Sequence, residues 1–475
     1  MKVLLIFPPK NTIALAKVDF FKNVDFESGS YPALGLLYIA AYAKKHTKDE
    51  IEIIDAPSEN LGYPQLEERI RAAAPDVAGI YFNTEYLIDS LKTAELLKKV
   101  RRDTVVVAGG PHVMMFPKET ILKKDVDYCV YGEGEIAFSN LLIALSLGTE
   151  PEKIEGVISK KNVDFAHRLQ KIDDLDSLPI PERTMLDYKK YASVITYSNP
   201  VTTIMTSRGC AFNCYYCNNI ERAQKVRMRS AGNVVEEIKA ISKLGIKDII
   251  FFDENFTFDM NRVNDICDLI LENKLNVRWH CRSRADMKLD AQALNKMRLA
   301  GCRMIQFGIE TASERLQELI NKRIDLKKVE QLIKKVKAAG ILAYGNFIIG
   351  LPTETKEEMD NTLDFALKSG LDYAPFSNFH PIPKSVFYEN GLKSGQIKTD
   401  YWLEFAKDPS NRITQDWWPG QDIEHLNKFN MYAFRKFYLR PVFVFKSLLL
   451  KESLKQKLWK IKSAIKLFVL PKNEK

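Results

Sequence analysis

Short apolar runs alternate with helix-length amphipathic stretches through most of this chain, which restricts it to βα-built architectures with parallel sheets. Residues 2–7, 50–54, 77–82, 104–108 and 127–131 read as strands, with helical patterns at 32–45, 65–74, 88–101 and 136–146. Right-handed crossovers then give a doubly wound, Rossmann-like α/β domain over residues 1–148. Residues 149–197 break the rhythm with Asp173, Asp174, Asp176, Pro179 and Pro181, and read as a linker. From 198 to 385 strands return at 202–206, 248–252, 277–281, 304–308, 342–349 and 373–379. Gly245, Gly301, Gly340 and Gly370 stand where helices between them should stop. Six such units fall short of a full barrel's eight and predict a partial (β/α)6 barrel, open on one side. Residues 386–475 read as a mostly helical region and hold four of the five tryptophans.

Charge is placed unevenly. The net charge is 70 − 61 = +9, but residues 446–475 hold nine Lys and two Glu, which is +7. The rest is near neutral, so no nucleic-acid partner is expected. In the tail, Leu454, Leu458, Ile461, Ile465 and Phe468 recur at helical spacing among lysines. That pattern has two readings: contact with the inner face of a membrane, or a helix laying its apolar stripe on the barrel. With no signal peptide and no transmembrane run, the expected location is cytoplasmic, with peripheral membrane contact under the first reading. Seven cysteines, an odd number in a long chain, argue against a disulfide framework.

Three of those cysteines crowd one loop. Ser207-Arg208-Gly209-Cys210-Ala211-Phe212-Asn213-Cys214-Tyr215-Tyr216-Cys217-Asn218 follows the first barrel strand, with C-x3-C-x2-C spacing. Barrel active sites lie at this end of the strands. Three soft ligands fit a cubane iron–sulfur cluster with one open iron, or a zinc site short of one ligand. Cys129, Cys267, Cys281 and Cys302 are isolated in apolar segments and read as core residues.

The loop resembles the cluster-binding loop of the radical S-adenosylmethionine (SAM) superfamily, C-x3-C-x-aromatic-C, with Tyr216 at the aromatic position. The resemblance covers about residues 197–385. It implies a [4Fe–4S] cluster on Cys210, Cys214 and Cys217, whose fourth iron chelates SAM and whose electron cleaves it to a 5′-deoxyadenosyl radical. It also implies a low-potential electron donor, a flavodoxin or ferredoxin. Residues at the other strand ends should surround the cofactor: Asp253 and Glu254, Arg282 and Ser283, and Glu310 in a Gly-Ile-Glu pattern. Ile348, in Phe347–Pro352, lies in a segment resembling the family's adenine-contacting stretch. Glu354 is one place off the family spacing and receives no role. His380 reads either as an acid–base group or as a structural histidine.

No G-x-G-x-x-G follows the first strand, which argues against a nicotinamide or flavin cofactor. Pro8-Pro9, Tyr31–Leu36, Gly109-Gly110-Pro111-His112 and Gly132-Glu133-Gly134-Glu135 together resemble the cobalamin-binding domain found ahead of many radical SAM domains. Gly109, Gly110, His112, Gly132, Glu133 and Gly134 are the candidate contacts, the glycines letting backbone approach the corrin. The D-x-H-x-x-G signature is absent, so a histidine below cobalt is not expected. The expectation is a cobalamin-dependent radical SAM enzyme that methylates an unactivated carbon of a small molecule or lipid. A radical cyclase or rearrangement enzyme of the same fold, and a non-catalytic metal-binding scaffold, are the rivals.

Overall fold

A computed structural model of the chain describes residues 1–15, 29–164, 168–218, 224–410, 412–413, 418–441 and 443. The basic tail at 446–475 lies outside them. Among the described residues, no helix is long and apolar enough to cross a membrane.

The chain forms two compact units. The first is built mainly from Ser30–Tyr191. Its strands are β1 (Lys2–Phe7), β2 (Glu50–Asp55), β3 (Val77–Tyr81), β4 (Val105–Gly109), β5 (Tyr128–Val130) and β6 (Val157–Ser159). They pair in the order β2-β1-β3-β4-β5-β6; the first five are parallel and β6 is antiparallel. Val3–Ile6 and Val106–Ala108 are sealed on both faces, which is why they read as unbroken apolar runs. Helices α1 (Leu34–His46), α2 (Tyr63–Ala73), α3 (Leu87–Val100) and α4 (Gly134–Leu147) connect them. Most of the stretch expected as a linker belongs to this unit and supplies its edge strand. A segment beginning at Thr399 also returns here, burying Trp402 and Phe405 and binding the Ile13 and Leu15 carbonyls through Arg412.

The second unit is built mainly from Ala192–Lys398. Its strands are β7 (Val201–Ile204), β8 (Asp248–Phe251), β9 (Arg278–Arg284), β10 (Cys302–Glu310), β11 (Leu342–Ile349) and β12 (Phe376–Asn378). All are parallel, in the order β12-β11-β10-β9-β8-β7, as a half-barrel requires. Helices α5 (Ala231–Lys243), α6 (Met260–Glu272), α7 (Ala291–Leu299), α8 (Leu326–Ala338) and α9 (Lys356–Lys368) start on side-chain caps from Ser230, Asp259, Asp290, Asp325 and Thr355. Each such cap contributes about 1 kcal/mol. Four end near a glycine of positive φ: Gly245, Gly301, Gly340 and Gly370. At Gly301 the requirement is double, because a Cβ would also lie 2.2 Å from the Val277 carbonyl oxygen. Beyond β12, helix α10 (Ile423–Tyr438) covers the sheet edge. Its buried Asn430 donates to the Phe376 carbonyl at 2.8 Å and to Asn378 at 3.2 Å.

Candidate active site

The three-thiol loop is anchored from below. Asp253, at the C-terminal end of β8, is 1% exposed. Its carboxylate accepts from the Thr206 amide at 2.9 Å, the Thr206 hydroxyl at 3.1 Å and the Ser207 hydroxyl at 2.6 Å. Burial pushes this carboxyl up, against the lowering effect of those donors and of Arg262. Arg262 donates in turn to the Thr206 hydroxyl at 3.0 Å. Arg229, buried in an ion pair with Glu237, binds the Met205 carbonyl at 3.2 Å. Ser207–Arg208 pairs antiparallel with Arg227–Met228, holding both ends of the excursion that carries the cysteines.

Further along, the loop docks on the turn after the short helix Glu314–Leu319. The Tyr215 amide donates to the Ile320 carbonyl at 3.0 Å, and Asn321 donates to the Asn213 carbonyl at 2.8 Å. Asn321 has φ 52°, a conformation asparagine tolerates well. Cys214 is buried, while Cys210 and Cys217 are partly exposed, and none of the three is in a disulfide. Burial pushes the Cys210 thiol up. Among the described residues, no three His, Cys, Asp or Glu side chains are grouped as a single ion would need. A cubane takes one thiolate per iron instead.

Two cations flank the loop. Arg284 donates to Cys214 Sγ at 3.5 Å, chelates Asp286 at 2.9 and 2.8 Å, and stacks over Phe212 at 3.8 Å. Its charge complements the negative sulfur that a metal ligand becomes. Lys322 donates to Glu310 at 2.6 Å and to the Tyr216 hydroxyl at 3.2 Å, and Tyr216 donates to Glu310 at 2.9 Å. Glu310 ends β10 on a register shift, with φ 69°. A non-glycine residue held there is backbone strain at a candidate functional position. Gly308 explains the glycine of the Gly-Ile-Glu pattern, because a Cβ there would lie 2.5 Å from the Glu310 carboxylate and 2.6 Å from Lys322 Nζ. Burial, with Glu310 beside it, pushes the Tyr216 hydroxyl far up, so it stays protonated.

The other expected site residues divide. Glu254 and Arg282 are exposed, and Ile348 is half-buried on β11. Asp253 is spent on the loop, and the Ser283 hydroxyl is buried, 2.5 Å from that of Thr257. Glu354 caps the turn after β11, accepting from the Gly350 amide and from the Leu351 amide at 3.0 Å. Burial raises its carboxyl to about 7. Arg284 and Lys322 were not singled out in the sequence. Period-two alternation from Arg282 flags Arg284; nothing local flags Lys322.

In the first unit the strand ends are used internally. His112 is fully buried, with Nδ1 2.9 Å from the Thr84 hydroxyl, and burial lowers it to about 3. Glu133 accepts from the Ile172 amide at 2.7 Å. Gly110 and Gly132 have φ 108° and 111°, and a Cβ would meet the Phe82 carbonyl at 2.8 Å and the Gln170 carbonyl at 2.4 Å. A Cβ at Gly134 would lie 2.9 Å from the Ile39 side chain. These glycines serve close packing of the chain on itself. Gly109 differs: its nearest neighbour would be 4.0 Å from a Cβ, leaving room over the end of β4. His112 is sealed in the interior, and His46 stacks on Tyr42. The strand order reverses between β1 and β3, where such a sheet opens a ligand crevice.

Comparison with known proteins agrees with these features. Residues 204–366 match the radical SAM superfamily and residues 28–142 match the B12-binding domain. An uncharacterized methyltransferase of Pyrococcus horikoshii is 32% identical over 94% of this chain and 95% of its own length. The anaerobic magnesium-protoporphyrin IX monomethyl ester cyclase of Rubrivivax gelatinosus is 28% identical over 77% of this chain and 67% of its own. In fold, the chain resembles the radical SAM methyltransferase TsrM of Kitasatospora setae, solved with cobalamin and a [4Fe–4S] cluster. There the TM-score is 0.67 at 17% identity, covering 83% of this chain and 75% of that one. The chain belongs to the radical SAM superfamily, in the group that carries a B12-binding domain. It is a cobalamin-dependent radical SAM enzyme, with a [4Fe–4S] cluster, SAM and cobalamin as cofactors.

Lys322→Met strands the Glu310 carboxylate in the interior and costs about 3–5 kcal/mol in chemical denaturation. Adding Glu310→Gln to that variant recovers more than half of the loss; equal midpoints for the single and double variants contradict the pairing. Glu354, raised from 4.5 to about 7, adds stability that is fully present below pH 4.5 and is lost as pH rises through 7. Glu354→Gln therefore raises Tm by about 2–4 °C at pH 8 and leaves it unchanged at pH 4. A shift of equal size at both pH values contradicts this.

Proposed function

We propose that this enzyme methylates an unactivated carbon of a small molecule, drawing electrons from a low-potential flavodoxin or ferredoxin. The observation that carries the reading is the pairing, in one chain, of an anchored three-thiol loop with a B12-binding domain, in a match that spans 95% of a methyltransferase relative. When bound, the cluster delivers an electron to SAM and cobalamin carries the methyl group.

The chain's own residues divide the remaining work. Cys210, Cys214 and Cys217 would hold the cluster through three thiolates, and no fourth protein ligand is assigned, so SAM could bind the cluster directly. Glu254, exposed at the end of β8, suits the ammonium; Lys322 and Arg284 put positive charge near the carboxylate. Tyr216 and Glu310, locked together, give hydrogen-bonding atoms for the ribose, and Ile348 gives an apolar surface for adenine. Asp253 acts at one remove by holding Thr206 and Ser207 beneath the loop. In the first unit, Gly109 and the crevice at β1/β3 leave space for the corrin. Similarity to the cyclase favours a second reading, ring formation without methyl transfer.

The test is anaerobic reconstitution with iron, sulfide and hydroxocobalamin, then dithionite and methyl-labelled SAM. The reading predicts about four irons per chain, bound corrin, 5′-deoxyadenosine, and label in the product of an accepted substrate. The Cys210→Ala/Cys214→Ala/Cys217→Ala variant should hold no cluster and form no deoxyadenosine. Deoxyadenosine with an unlabelled, cyclised product contradicts methyl transfer.

A further inference from the structure

The concave face of the half-barrel carries a row of side chains aligned by the strand register. Cys281 meets Cys302 and Cys267 on the helix-covered side of β9. By alternation, Arg282 and Arg284 face the opposite, concave side. Register places Arg282 beside Gln306 and Gln306 beside Tyr344, while a parallel bridge links Tyr344 to Tyr373. On the other flank, Phe252 lies beneath the Arg282 guanidinium, 5.0 Å from ring centroid to carbon. The row thus runs Phe252, Arg282, Gln306, Tyr344, Tyr373: one cation and one amide between aromatic walls. The two tyrosine rings lie 5.9 Å apart.

Arg282 stands out because its charge is unspent. The neighbouring arginines on β9 are committed, Arg278 to Asp248 and Arg284 to Asp286. Arg282 is exposed, and among the described residues it makes no hydrogen bond or ion pair. Glu254 acts on it electrostatically without pairing. Stacking on Phe252 holds the guanidinium on the concave face with its N–H groups open, a geometry that suits bidentate contact with two oxygens of a carboxylate, phosphonate or phosphate. Arg284, which touches Cys214, is two residues on, roughly 6.6 Å along the strand. A molecule anchored at Arg282 would therefore extend toward the thiol loop.

We propose that Arg282 is the substrate's anchor and that the substrate is a small molecule bearing an oxyanion, a carboxylate or a phosphonate or phosphate, next to a flat apolar body that fits between Phe252 and Tyr344. This rests on the reading of the half-barrel as the reaction chamber, and it assigns Arg282 to substrate in place of SAM.

The experiment is anaerobic calorimetry on the full chain, reconstituted with cluster and cobalamin. The probes are phenylphosphonate, phenylacetate and neutral phenylacetamide. The wild type should bind at least one oxyanion at least tenfold tighter than the amide, and which one it favours separates phosphonate from carboxylate. Arg282→Gln should cut that preference below threefold, and Arg282→Lys, which keeps charge but loses the fork, should fall between. Both variants should retain wild-type iron content and SAM affinity. No anion preference in the wild type, an undiminished preference in Arg282→Gln, or a loss of SAM affinity in that variant overturns the proposal. Because probe binding is read without turnover, failure of SAM cleavage or methyl transfer would count against the proposed reaction and leave the anchor standing.

Discussion

The buried carboxylate of Asp253 is the contact on which the reaction chamber depends. A charge in the interior is costly unless donors surround it. Here those donors are the Thr206 amide and the Thr206 and Ser207 hydroxyls, which lie just ahead of Cys210. Satisfying the carboxylate therefore fixes the chain at the point where the thiol loop departs. Arg262 and Arg229 extend the same logic, each binding backbone or side-chain oxygens of Met205 and Thr206. The loop is then held at its root by polar contacts and at its tip by the Ile320–Asn321 turn.

From that base the strand ends take distinct tasks. The Glu310–Lys322 pair lies under Tyr216 and needs Gly308 to exist, so a backbone choice on β10 sets the electrostatics beside the cysteines. The bulge that gives Glu310 a positive φ re-aims its side chain, a common use of bulges beside active sites. One layer back from Arg284 along β9, Arg282 lies over the Phe252 ring and beside Gln306 in the strand register. The groups that position the loop, Asp253 and Arg229, are buried and hydrogen-bonded, whereas Arg282 is exposed on the chamber side.

How much of this was legible in the sequence depends on how local each feature is. The alternation of strands and helices, the glycine stops and the three-thiol loop are written in neighbouring residues and could be read directly. The edge strand Val157–Ser159 was hidden because three residues give no periodicity, and the return of Thr399 onward to the first unit because tertiary contacts alone decide it. Among site residues, Asp253 was found but its job was not: an acid at a strand end reads the same whether it faces a ligand or its own chain. Lys322 sits beyond a helix from Glu310, and only the fold brings them together. His112 and Glu133 were noticed as motif members, and the structure spends both inside the domain.

The protein itself sets the thiol loop before any cluster is present. Hydrogen exchange on the iron-free full chain tests it most directly. Slow exchange is expected for the amides of Thr206 and Tyr215, and at least tenfold faster exchange at Thr206 in Asp253→Asn. Exchange in the wild type as fast as in an unstructured peptide, or no change in the variant, would contradict it.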